Sequence, residues 1–323
     1  VNTQTKKIVC TAESMPNYIG HLLGTAQVAF SNDHPSRYAK TVDDDDVTCL
    51  REYATLLQWG SGEQGTLTPF FVFFPGYLGL EDGRQITQYF TALQRAIREN
   101  NLSPLFHSFP ALRNLADWMY SYPEDCPVPT GLRENQSAVS RLSDVWIDNY
   151  GAFRTQVWPT ELPNLQSRAD EMNAVLSARD VIGDWERLTG CCFLYPQYTF
   201  VLSIGIENGP NFNSLGYEKN WVWWRTELLF EGIVHEVGTH LLISLFKSGW
   251  SAYSARIAYD AYETLCDFYC ELILASYGIN HTLLKTASVF SPAARSHIEQ
   301  LWKDDPAQPP ERLYAKVLDR LSR

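Results

Sequence analysis

Residues 227–246, ELLFEGIVHEVGTHLLISLF, form an apolar run twenty residues long that carries Glu227, Glu231, His235, Glu236 and His240. The length would suit a membrane span, but five ionisable groups would not. The run therefore reads as a helix in a protein interior. Thr226 can cap its start, and Ser248 and Gly249 end it near Lys247. Buried imidazoles and carboxylates need partners, so this helix must meet either complementary side chains or a metal ion.

The segment His235-Glu236-Val237-Gly238-Thr239-His240 has the residue types of a zinc-hydrolase helix. Zinc takes nitrogen and carboxylate ligands in a tetrahedron, and catalytic sites keep one position for water. The familiar spacing places two histidines four residues apart on one helical face, with a glutamate base between them. Here they are five apart. At about 100° per residue, that spacing separates the two rings by about 140°. A regular α-helix would not converge them on one ion. A π-bulge over residues 236–239 would return His240 to the face of His235, and Gly238 tolerates such a backbone. A metal site on this segment requires that bulge.

A third ligand is expected from a following helix. Residues 256–277 have helical spacing, and Glu263, Asp267 and Glu271 recur every four residues on one stripe. Glu263 lies 23 positions after His240, and Glu271 is the next candidate.

In HEVGTH and the later ETLCD, the chain resembles the glutamate-ligand (gluzincin) zinc metallopeptidases. Its active-site helix is similar to the HExxxH variant of the tubulin tyrosine carboxypeptidase family. The similarity covers residues 195–275. It implies a zincin-like α+β metallopeptidase domain, helix-rich, with a small sheet beside the active-site helix whose edge holds an extended peptide. It also implies Zn2+ held by His235, His240 and Glu263, Glu236 as general base, and Asp267 holding the first histidine from outside the ligand set. The implied reaction is hydrolysis of a peptide bond in a peptide or protein substrate by a metal-activated water. Tyr253, Tyr259 and His297 are candidates to stabilise the oxyanion. Arg256 is a candidate for a substrate carboxylate, although a surface arginine fits it better. Trp221, Trp223 and Trp224 suit a pocket wall or core packing equally.

The formal net charge of −11 and the lack of a basic stripe argue against nucleic acid as a partner. Asp43–Asp46 reads as a solvated loop, without calcium-ligand spacing. Seven cysteines, an odd number without CxxC pairs, lean towards a reducing, cytoplasmic setting. His21, His34, His107 and His281 read as surface or core residues.

Two regions are expected: an N-terminal α+β region over 1–130 and the zincin-like catalytic region over 131–323. The Pro-rich stretch 121–135 would link them. Residues 68–74 read as a strand and 83–100 as a helix. Two further helices are expected over 137–157 and 161–189, with Pro159 and Pro163 bracketing their break. Residues 198–206 read as a strand, and 220–225 as a second strand or the entry to the motif helix.

Two alternatives compete with the peptidase. One is a zincin-like fold kept as a binding or regulatory module. The other is a serine α/β-hydrolase, in which FFVFFPGYLG would supply an oxyanion N–H and GWSAY the nucleophile elbow. That elbow lacks the glycine two residues after Ser251.

Overall fold

The computed structural model describes residues 6–28, 30–60, 63–113, 126–207, 212–214, 218–223, 226–281 and 291–322. It is a helix-rich α+β protein. The chain divides into two interleaved units. One comprises Cys10–Asp170 with Thr199–Trp223, and the other Val1–Val9, Glu171–Tyr198 and Trp224–Arg323. The division expected at residue 130 falls instead at 170, and Val1–Val9 and Thr199–Trp223 each belong to the opposite unit from the one expected. Much of the expected linker, 121–125, lies outside the described residues.

The first unit contains most of the sheet. Its strands are β1 (Lys7–Thr11), β2 (Gln197–Leu202), β3 (Phe212–Ser214) and β4 (Lys219–Val222), in the order β1-β2-β4-β3. β4 pairs parallel with β2 and antiparallel with β3. Residues 220–222 are thus strand, one of the two readings of that segment. β2 stops at Leu202, short of the expected 206, because helix α1 (Ser14–Ala26) takes over the next residues. The Asn17 amide donates to Leu202 O (2.9 Å), and its oxygen accepts from the Ile204 N–H (2.9 Å). Gly20 and Gly24 let the two backbones touch. A Cβ at Gly20 would fall 2.3 Å from Ile204 O, and one at Gly24 2.1 Å from Gly205 O.

Asp43–Asp46 is not a loop. It opens helix α2 (Asp44–Glu52), with the Asp43 carboxylate accepting from the Asp45 N–H (2.9 Å). Acidic side chains there complement the exposed N–H groups and positive end of the helix, which a charge count alone does not reveal. Residues 69–73 are π-helical, not extended, and run into a short α-turn to Leu78. Pro69 to Gly76 are all buried, so no alternation distinguished strand from helix. Helix α3 (Gly83–Glu99) forms as expected. It buries Ile86, Tyr89, Phe90, Leu93 and Ile97, starts at an Asp82 cap, and ends on left-handed Asn100.

Helix α4 (Gln136–Asp148) is followed by a turn and a π-helical stretch, Phe153–Val157, leading into α5 (Trp158–Ser177). Pro159 and Pro163 both lie within a helical run that continues from Tyr150 to Ser177. The break falls after Ser177 instead. There Asp180 caps α6 (Val181–Thr189) by accepting from the Gly183 N–H (3.1 Å).

The described elements of the second unit after residue 225 are helices: α7 (Thr226–Leu241), α8 (Ile243–Ala252), α9 (Ala255–Ser276), α10 (Pro292–Asp304) and α11 (Pro310–Leu321). α9 packs against α6, α7, α8, α10 and α11. The expected single helix to Lys247 is broken at Leu242, with a 53° bend between α7 and α8. No single described helix is long and apolar enough to cross a membrane; this bent pair meets the test by length and composition only.

Candidate functional site

The motif lies on α7, and the acidic stripe on α9 faces it. His235 is buried, and its Nε2 lies 3.3 Å from Glu263 Oε2. The first and third of the implied ligands are thus neighbours. Burial alone would lower the His235 pKa, but the Glu263 hydrogen bond and the charges of Glu263, Glu236 and Asp267 outweigh it and raise the value. The Nδ1 of His235 is buried without a hydrogen-bond partner.

Glu236 is partly exposed on the next position of α7, and its carboxylate accepts from the Thr239 hydroxyl (3.0 Å). Tyr259 sits one turn before Glu263 on α9 and hydrogen-bonds to it. Its hydroxyl pKa is raised, first by burial and then by the charges of Glu263 and Glu236. Of the three oxyanion candidates, Tyr259 is the one tied to these carboxylates. Arg256 pairs with Asp260 (2.9 Å) on the surface. Trp221 is fully buried and stacks on Trp59 at 5.8 Å in the sheet-bearing unit; Trp224 lies outside the described residues.

His240 does not join this group. α7 is α-helical throughout, and the bulge expected over 236–239 is not formed. The His240 ring packs against Tyr198 (5.0 Å) and Phe193 (5.2 Å), and burial pushes its pKa down to about 4. Among the described residues, no three His, Cys, Asp or Glu side chains converge on a point able to hold a metal. Two of the implied ligands therefore fit a metal, and the third does not fit in this helical register.

Gly238 has a different task from the one expected. The six-membered ring of Trp185 on α6 lies against it, so that a Cβ there would fall 2.2 Å from the ring. The indole N–H donates to Val234 O (2.8 Å), one turn earlier on α7.

Asp267 was expected to hold His235. Its carboxylate instead accepts from His281 (2.6 Å) and from Arg295 (3.3 Å). The other ring nitrogen of His281 meets Glu231 Oε2 at 3.0 Å. His281 is buried between these two carboxylates. Arg295 also binds Glu271 and Glu299, which engages the alternative ligand Glu271 in an ion pair. Glu231 stands one turn before His235, a visible helical signal. His281 and Arg295 reach the cluster through tertiary packing, and nothing in their spacing announced them.

Ser251 of GWSAY lies inside α8, and its hydroxyl donates to Ser248 O (2.7 Å). No strand-to-helix turn exposes it, so the nucleophile-elbow reading is set aside. No protein family, curated protein or solved structure matches the chain.

Proposed function

We propose that the helical unit is a zincin-like, zinc-dependent peptide hydrolase, with His235, Glu263 and His240 as the ligands of Zn2+ and Glu236 as the general base. The observation that carries this reading is the buried His235–Glu263 pair, two ligand types joined 28 residues apart beside a glutamate. Zinc, when bound, supplies an acidified water and polarises a carbonyl. Glu236, adjacent to His235 and open to solvent on one side, takes a proton from water and passes it to the departing amine. Tyr259, whose hydroxyl is kept protonated by burial and the charges of Glu263 and Glu236, is the candidate donor to the developing oxyanion. His240 enters the ligand set when the turn between the histidines gains one residue.

The test combines metal content with hydrolysis of a broad peptide library. Wild type should retain one zinc per chain, and His235→Ala and Glu263→Ala should lose it. Glu236→Gln should keep zinc and abolish cleavage. Cleavage surviving in Glu236→Gln would remove the assigned base, and zinc unchanged in Glu263→Ala would remove that ligand.

The regular geometry of α7 favours a second reading, a zincin-like module that binds a partner without catalysis. Zinc-free wild type that cleaves nothing in the library would decide for it.

A further inference from the structure

We propose that Lys6 and Cys192 form an oxidation-dependent covalent clamp, a peroxide-responsive modification site that ties the N-terminal strand to the loop after α6. It is independent of the zinc reading above.

The end of α6 assembles the pair. Gly190 closes that helix in the left-handed conformation (φ 74°), and the chain leaves it as Cys191-Cys192-Phe193. The Phe193 N–H donates to Glu186 Oε1 (2.7 Å), which draws the loop back over the last turn of α6. The same carboxylate oxygen accepts from the Lys6 ammonium. The Lys7 N–H donates to Pro196 O (3.1 Å), which fixes the start of β1 beside the chain entering β2. Lys6 Nζ then lies 3.3 Å from Cys192 Sγ, 186 positions away in sequence. An amine and a thiol, two nucleophiles, are thus in contact with a carboxylate beside them.

Of the seven cysteines, five are buried, Cys191 is half-buried and Cys192 is exposed. Cys192 is therefore the thiol that a dissolved oxidant reaches. A neighbouring ammonium favours the thiolate, the form that attacks a peroxide. Burial would lower the Lys6 pKa, but hydrogen bonds to Glu186 and Cys192 outweigh it and raise it, so the cation is in place at neutral pH.

The chemistry needs one equivalent of hydrogen peroxide. The Cys192 thiolate attacks it; an S–O bond forms, the O–O bond breaks and hydroxide departs. Sulfur is oxidised by two electrons and the peroxide is reduced. Sulfenic Cys192 no longer carries the charge that helps hold the Lys6 proton, and the hydroxide takes that proton to become water. The neutral amine attacks sulfur, an S–N bond forms, the S–O bond breaks, and the hydroxyl leaves as water with the second amine proton. One thiol, one amine and one peroxide give one sulfenamide and two waters. Two equivalents of an added thiol restore Lys6 and Cys192 and leave as a disulfide. Phe193, next to the clamp, packs on the His240 ring at 5.2 Å, so the bond fixes the loop that rests on the motif helix.

The experiment treats the full chain with hydrogen peroxide, alkylates the remaining thiols, digests with trypsin and maps the peptides by mass, before and after dithiothreitol. Wild type should yield one linked species joining the Lys6 peptide to the Cys192 peptide, two hydrogens lighter than their sum and absent after reduction. Cys191→Ser should keep it. Cys192→Ser and Lys6→Arg should lose it, because arginine keeps the cation beside Glu186 but not the amine. Oxidised wild type should melt at a higher temperature than reduced, because the bond constrains the unfolded chain, and oxidised Lys6→Arg should show no such rise. A Cys191–Cys192 disulfide in place of the linked species overturns the clamp, as does Cys192 stopping at sulfenic or sulfinic acid with Lys6 unmodified. The wild-type map alone decides this if a variant fails to fold.

Discussion

His235 and Glu263 meet at 3.3 Å across the interface of two helices, and the Glu263 hydrogen bond and charge act on an imidazole that burial alone would leave neutral. The sign of the resulting pH dependence follows. A folded-state pKa raised above the unfolded value of about 6.5 gives stability that is full below 6.5 and is lost as pH rises through the folded value. Glu263→Gln removes the charge that raises it. The stability difference between metal-free wild type and Glu263→Gln should therefore shrink from pH 6 towards pH 9, as read by thermal melts. A difference constant across that range would show that the pair does not titrate as argued.

The Glu231–His281–Asp267 chain stabilises the scaffold behind the motif. Removing the imidazole leaves two largely buried carboxylates facing each other, with Arg295 able to serve only Asp267. His281→Ala should lose about 1.5–3 kcal/mol, the usual worth of a hydrogen bond to a charged group. Urea denaturation at neutral pH measures it. A loss under about 1 kcal/mol, typical of exposed ion pairs, would mean that the cluster is solvated in the protein.

The other buried histidines act in the opposite sense. His21 Nδ1 and His34 Nε2 share a hydrogen bond at 3.0 Å, and burial lowers both pKa values to about 3. Each folded value lies below the unfolded one, so their neutral forms favour folding near neutral pH and this advantage is lost as pH falls below about 6.5. At pH 4.5 the loss is about 2–3 kcal/mol per imidazole. His34→Gln keeps a polar partner for His21 but removes one titrating group. Its stability should decline less steeply than wild type between pH 7 and pH 4.5 in denaturant titrations, and parallel curves would contradict the assignment.

What could be read from residue types alone depended on where the constraint came from. Helix α3 shows its apolar stripe in sequence, and it forms within a residue of the expected bounds. The stripe of Glu263, Asp267 and Glu271 was legible from helical period, whereas the choice of Glu263 as the partner of His235 came only from the resemblance of HEVGTH and ETLCD to the gluzincins. The π-helical Pro69–Phe73 stretch was not, since a segment buried on every side has no period to read. The end of β2 was hidden because it is imposed by α1, 180 residues away in the chain, through Asn17 and two glycines. Asp267 was misassigned because its partners, His281 and Arg295, are chosen by packing rather than by spacing.

Gly238 gives the sharpest test of what α7 and α6 do to one another. A Cβ at Gly238 would stand 2.2–2.8 Å from three atoms of the six-membered ring of Trp185. That ring is braced by Tyr269 and anchored through its N–H to Val234, so it has little room to retreat. Gly238→Ala should therefore destabilise the wild-type protein by about 1–3 kcal/mol through overpacking, despite the better helix propensity of alanine. In the Trp185→Phe background the extended indole is gone, and the same substitution should cost much less or become neutral. The coupling between the two positions, from a double-mutant cycle in urea, should exceed about 1 kcal/mol. Additive effects would mean that the glycine is required for its backbone alone, and that the indole does not rest on the helix between the two histidines.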